Sequence, residues 1–401
     1  MGTVLSYSPL RTFIAALAVA VVAAFIPVAS ANAADMGTTW NNATLPNGAA
    51  GLDSIAFGNG VFVGVNTQGD VLRSTDGKTW SSVQQSNVVW SSAAFGGGVF
   101  VILGEDGSGP VFKRSTDNGV TFSNANSSGL SSSGYTGLSF GQNTFIAMDT
   151  QSGCFVAVST DSGQTWNDGG SSDSCDEYQS SVFGNGVWVS ASTSPSVEFN
   201  NDPVGSGWNS VQFANGDPTP QSGEVLSELS FNGTEFMFLI HGLNGSVYKY
   251  TSTDGENWSA RTLTNGLPSS EYSGLAWDGA AWLAGAGGSG TGIYRSSDGV
   301  AWTRVDANNT QWYSFAAGSG IVVSGGQPQV STGAQGLNST IAVGWSADTP
   351  APSPSPTPSP SPSELPKTGI SSGNVLQSLF IGGLLVALGA LLVRRVKTQR
   401  K

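Results

Sequence analysis

The residues best suited to recognising a ligand form a column of rings. Trp90, Tyr135, Tyr178, Tyr272 and Trp312 each stand five residues before the aromatic residue, or its equivalent, that opens a glycine-containing turn. Leu52 and Leu226 fill the other two places. Five aromatics in seven places far exceed the 10% found in the whole chain. Aromatic faces suit the C–H surfaces of sugars and apolar ligands. The column is therefore the expected binding surface, lopsided where the leucines interrupt it. The alternative is that these rings pack between structural units. Asp53, Glu105, Asp106, Asp149, Glu177 and Glu271 fall near the same register, and a pair of carboxylates is the equipment of a glycosidase. Acidic residues are common in this chain, so that observation discriminates little. His241 is the single histidine and has no indicated Ser or Cys partner. With two cysteines it gives too few ligands for zinc. No cofactor and no metal are expected.

The elements that must position these residues repeat. A hairpin signal recurs as Phe57-Gly58-Asn59-Gly60, Phe95-Gly96-Gly97-Gly98, Phe140-Gly141-Gln142-Asn143 and Phe183-Gly184-Asn185-Gly186. It returns as Phe231-Asn232-Gly233 and Trp277-Asp278-Gly279, with a degenerate copy at Ala317-Gly318-Ser319-Gly320. Asn-Gly between apolar runs marks a tight β-hairpin. A second element follows in most units: Ser74-Thr75-Asp76-Gly77, Ser115-Thr116-Asp117-Asn118-Gly119, Ser159-Thr160-Asp161-Ser162-Gly163, Ser252-Thr253-Asp254-Gly255 and Ser296-Ser297-Asp298-Gly299. Closing aromatics stand at Trp40, Trp80, Phe122, Trp166, Trp208, Trp258 and Trp302, and the Trp208 unit has lost this second element. A unit of about 40–50 residues is the period of a four-stranded propeller blade. The first unit reads as strands Leu52–Phe57, Val61–Val65, Val71–Ser74 and Thr79–Val83.

This second element resembles the Asp-box, or BNR repeat, of sialidases, xyloglucanases and related propellers. Its aspartate accepts hydrogen bonds from turn amides, its glycine takes φ > 0, and its aromatic packs into the blade. Asp76, Asp117, Asp161, Asp254 and Asp298 are therefore expected to be structural rather than catalytic. The resemblance implies that the ring column faces the mouth of a central channel, opposite these turns. The expected fold is all-β: a seven-bladed β-propeller over residues 34–349. Ser346-Ala347-Asp348 followed by Gly37-Thr38-Thr39-Trp40 would complete a seventh unit from both ends of the chain. The N-terminal strand would then close the ring and remove open sheet edges. A β-sandwich is the competing architecture, and it would not produce seven regular copies. Sialidases of this shape carry an arginine cluster and an Arg-Ile-Pro segment. Here Arg73, Arg114 and Arg295 directly precede the turns and no Arg-Ile-Pro exists, which argues against sialic acid cleavage.

The ends of the chain specify destination. Residues 1–33 read as a signal peptide, with Arg11, an apolar run from Phe13 to Val28, and the small-residue site Ala31-Asn32-Ala33. Residues 350–364 alternate proline with serine or threonine, an extended linker. Leu365-Pro366-Lys367-Thr368-Gly369, the apolar segment 370–393 and the basic tail 394–401 follow in order. This resembles the cell-wall sorting signal of Gram-positive surface proteins. The resemblance implies cleavage between Thr368 and Gly369 by a sortase and transfer to a peptidoglycan precursor. The membrane is then a transient anchor, with one C-terminal helix spanning it before sorting. Cys154 and Cys175, in an exported chain, are expected to form one disulfide. Between the two cuts lie nine basic and 27 acidic residues, a formal charge of −18. Nucleic acid is excluded as a partner, because phosphate binding needs clustered cations. Two function classes stay open: a surface module binding an extracellular glycan or protein, and a wall-anchored glycoside hydrolase or lyase. The missing catalytic set favours the first.

Overall fold

The computed structural model describes residues 36–132, 134–149, 155–171, 178–192, 196–205, 207–214, 220–287, 290–306, 310–328 and 343–347. The signal segment, linker, sorting motif, apolar segment and basic tail lie outside these residues, as do Cys154, Cys175 and Glu177. Among the described residues there is no α-helix, and no helix is long and apolar enough to cross a membrane.

The chain forms a seven-bladed β-propeller whose blades are antiparallel meanders, their strands, here A to D, in sequence order except in blade 7, and blade 3 carries an added parallel strand, Asn126–Gly129. Blade 1 comprises Ser54–Gly58, Val61–Val65, Asp70–Ser74 and Ser81–Gln85. Strands A of the other blades are Val89–Gly96, Tyr135–Gly141, Tyr178–Gly184, the interrupted pair Val225–Leu226 and Ser230–Phe231, Tyr272–Trp277 and Thr310–Gly318. Each strand A touches that of the next blade, and the last touches the first. In blade 7, Val343–Ala347 lies between Ile321–Pro328 and the N-terminal pair Asn41–Asn42, with Asn41 opposite Trp345.

The hairpins explain the repeated motif. Asn59 and Gly60 both take positive φ, 49° and 76°, the requirement of a two-residue turn that matches strand twist. The glycine directly after the aromatic has another purpose. A Cβ on Gly96 would lie 1.9 Å from the Phe140 ring of the following blade. Gly58, Gly141, Gly184 and Gly318 make the same room for Phe95, Phe183, Phe231 and Phe57. Blades are thus keyed together ring into glycine, and the core is a set of inter-blade clusters.

The aspartate turns consume their own carboxylates. Asp117 accepts from the Thr121 amide at 2.9 Å, the Ser115 hydroxyl at 2.7 Å and the Thr121 hydroxyl at 2.6 Å. The Thr121 hydroxyl, then the Thr121 amide and Ser115 hydroxyl, hold its carboxyl down at about 2. Asp76, Asp161, Asp254 and Asp298 repeat the pattern. Arg73 and Arg114 donate to the backbone carbonyls of Asn118 and Ser162 in the next blade's turn. Arg295 pairs with Asp278 at 3.1 Å.

Candidate functional site

Hairpins and aspartate turns occupy one end of the ring, so the start of every strand A lies at the other. There, blades 5, 6, 7 and 1 enclose a cavity of about 270 Å³ whose wall includes Asp53, Glu228, Glu271, Tyr272, Ser273 and Tyr313. Among the described residues no lysine or arginine lines it.

A ring of inter-blade hydrogen bonds runs beneath this mouth. The residue three before each hairpin aromatic is Ser54, Ser92, Gly137, Ser180, Glu228, Gly274 or Ser314. The hydroxyls of Ser54, Ser92, Ser180 and Ser314 accept from the backbone N–H of Ala93, Leu138, Leu229 and Ile55 in the following blade, at 3.0–3.2 Å. Glu228 has the Leu275 amide of the next blade near its carboxyl, and it brings a longer, ionisable side chain to the cavity wall. Burial pushes its carboxyl up to about 8, against the lowering effect of the Leu275 amide. The shift favours the protonated form, whose O–H is a donor. Asp53 accepts from Thr67 N–H at 2.8 Å and from the Gln327 side-chain amide at 3.2 Å. Tyr313 donates to Gln311 at 2.6 Å, and burial, with the charge of Asp53, raises its phenol. The wall thus offers acceptors, neutral phenols and one carboxyl shifted toward its protonated form. Among the described residues no three His, Cys, Asp or Glu side chains stand close enough to hold a metal.

The ring column does not form the expected open surface. Trp90, Tyr135, Tyr272 and Trp312 are 0, 5, 3 and 1% exposed, and Leu52 and Leu226 are buried with them. Trp90 and Trp312 sit in separate inter-blade clusters. Tyr178 opens its strand opposite Ser192, and its side chain lies outside the described residues. The reason is a bulge. Registers pass from Trp90↔Gly104 to Ser92↔Leu103, and from Trp312↔Gly326 to Ser314↔Gly325, skipping one residue of strand A. A bulge re-aims side chains: Trp312 enters the core while the skipped Tyr313 lines the cavity. Of the column's described side chains, Tyr272 and Leu226 also reach the cavity wall, and burial raises the Tyr272 phenol well above the ordinary range.

The carboxylates divide similarly. Asp53 and Glu271 meet at the cavity. Glu105 and Asp106 are exposed at the end of a blade 2 strand, and Asp149 is buried against the Ser132 hydroxyl at 2.8 Å. His241 bonds Ser269 at 2.9 Å, outside the cavity. Glu228 and Tyr313 escaped the sequence reading. Their signal lay in neighbouring columns: a lone glutamate among serines and glycines three places before the aromatic, and a tyrosine at the skipped place.

A family model described as the DUF6242 beta propeller domain matches residues 202–383, less than half of the chain. No curated protein matches. Among solved structures, YCF48 from Cyanidioschyzon merolae is similar at 18% identity and TM-score 0.57, covering 77% of this chain and 98% of its own. The WD40 beta propeller domain of Doa1 is similar at 11% identity and TM-score 0.53, covering 78% and 98%. The GH74 enzyme of Niastella koreensis is similar at 14% identity and TM-score 0.50, covering 72% of this chain and 52% of the enzyme. At such identities the likeness is one of fold alone, and fold does not assign function.

Proposed function

We propose that this chain is an exported, wall-anchored surface protein whose propeller binds an extracellular ligand at the channel mouth. The observation that carries the reading is the cavity between blades 5, 6, 7 and 1, where Glu228 replaces the ring serine beside Asp53, Glu271 and Tyr313. Its lining suits a neutral, hydroxyl-rich glycan: carboxylates accept from sugar hydroxyls, tyrosines offer ring faces, and the protonated Glu228 donates. Absence of cations from the wall disfavours sialic or uronic acids. The test is a glycan-array screen of the exported chain, repeated with Glu228→Ser. Binding to neutral glycans that the variant loses supports the reading. Equal binding by both proteins places the ligand elsewhere.

The same reading carries the ends of the chain. Sortase would attach Thr368 to the peptidoglycan precursor after the apolar segment 370–393 has halted export. Thr368→Ala should leave the protein in membrane or medium, and its release by muramidase with wall fragments attached would refute the anchor. Cys154 and Cys175 would form a disulfide; two free thiols in the exported, unreduced protein would exclude it. The N-terminal strand would close the ring. Support comes from Gly37 N–H donating to the Ser346 hydroxyl at 2.9 Å and from Trp40 Nε1 donating to the Gly37 carbonyl at 3.1 Å. The aspartate turn of blade 3 has the same two bonds, through Gly163, Ser159 and Trp166.

One observation favours the hydrolase reading as second. A carboxyl shifted toward its protonated form, sharing a cavity with Asp53 and Glu271, is the arrangement of a general acid beside a base. Release of reducing ends from a bound glycan, abolished by Glu228→Gln, would establish it.

A further inference from the structure

Blade 4 departs from the other blades in its interior. Where blade 5 places Phe238 opposite Tyr250 and blade 3 places Ala147 opposite Ala157, blade 4 places Ser190 opposite Glu198. Both are fully buried. Trp188, two residues along the same strand face, packs with Trp208 against Ile146, Met148, Val156 and Val158 of blade 3. Cross-strand partners share a face, so Ser190 and Glu198 lie on the face that Trp188 turns toward blade 3.

Trp208 closes the unit whose turn departs from the pattern, with Asn200 in place of the serine and Asp202 six residues before the aromatic rather than four or five. In five other units the closing indole donates to the glycine carbonyl three residues back, at 2.9–3.3 Å: Trp40, Trp80, Trp166, Trp258 and Trp302. The Trp208 N–H makes no such bond, and neither it, the Trp188 N–H nor the Ser190 hydroxyl has a protein partner, although all three atoms are buried. An unpaired buried donor costs roughly 1–3 kcal/mol, and three in one seam is more than chance burial leaves in a native fold.

We propose that the seam between blades 3 and 4 is an internal hydration site, holding ordered water that accepts from the indole N–H groups of Trp188 or Trp208, bonds the Ser190 hydroxyl and donates to Glu198. Buried waters settle where about three polar partners converge. The altered turn supplies one of them, since the Trp208 N–H does not bond a glycine carbonyl three residues back.

The test uses the exported chain in two forms: crystals at atomic resolution, and deuterated protein labelled at its indole nitrogens for NMR. Expected are solvent density within hydrogen-bond reach of Ser190 Oγ and of at least one indole N–H, and a long-lived water cross-peak on that indole resonance. Trp208→Phe should delete its own resonance and leave unchanged any cross-peak that the wild type shows on Trp188. Both indoles bonded to protein oxygens, with no density and no cross-peak, would overturn the proposal. The wild-type measurements decide it even where the variant does not fold.

Discussion

The turn end of the ring and its mouth differ in how strictly they repeat. At the turn end, five aspartates bond their own turn amides with the same geometry, unit after unit. At the mouth, the equivalent position changes from serine to glycine to glutamate around the ring. The difference has a physical cause. A turn is closed by bonds within one short segment, so every copy that keeps its residues keeps its geometry. The mouth is built where seven strands meet, and each copy faces its own pair of neighbours. A change in one copy there can create a site without breaking a blade.

The largest effects should come from what holds the ring together. Deleting residues 36–42 removes the N-terminal pair that lies beside Val343–Ala347 and lifts Trp40 from Trp312 and Phe315, whose rings it meets at 6.2 and 6.1 Å. The expected loss is at least that of a buried tryptophan cut to alanine, roughly 3–5 kcal/mol by denaturant melt. An unchanged midpoint would mean that the N-terminal strand does not close the ring. Next comes the buried column: Trp90→Ala should also cost roughly 3 kcal/mol or more. Tyr313→Ala, one bulge away from Trp312 but at the cavity, should cost clearly less. Equal losses at the two sites would erase the distinction between core and mouth. Gly96→Ala should fall between, at roughly 1–3 kcal/mol, because the Phe140 ring must move.

The turn end should respond to acid alone. The Asp117 carboxyl is lowered in the folded state, so its contribution is present above the unfolded carboxylate range and is lost as pH falls through about 2. Asp117→Asn should flatten that part of the stability profile. Its total effect is small because the turn is exposed to solvent.

The repeats were legible because they are local. Hairpin glycines and turn aspartates announce themselves through φ and capping needs, which the chemistry of single residues records, and seven copies imply seven blades. The mouth was half legible. The ring column was found, and Asp53 and Glu271 were named with the right end of the molecule. The direction of the rings was not readable, because strand alternation is broken by a bulge that no residue type marks: the skipped residues are Ser91, Ser273 and Tyr313 in different blades. Glu228 was hidden for another reason. Its meaning depends on what the same position holds in the other six blades, and on the amide of Leu275 in the blade beside it.

Glu228 gives the finest test of the contrast, because stability and binding should part there. Its carboxyl is raised from 4.5 to about 8, so the folded state binds a proton that the unfolded chain has released. Its contribution to stability is therefore full below the unfolded value and is lost as pH rises through about 8. Glu228→Gln keeps the shape and an acceptor for Leu275 N–H while removing the titration. The variant should match wild type in acid and become the more stable protein above pH 8, with a flat profile between. Glu228→Ser restores the residue used at four other places in the ring, so its fold should be intact at every pH. Glycan binding should behave in the opposite sense. Wild type should lose affinity above pH 8 as the donor becomes a charge, Glu228→Gln should retain a pH-independent remnant, and Glu228→Ser should lose most binding. Binding and melting measured on the same three proteins across pH 5 to 9 make the comparison. Should all three bind alike, the glutamate is one more inter-blade clamp, and the mouth obeys the same structural logic as the turns.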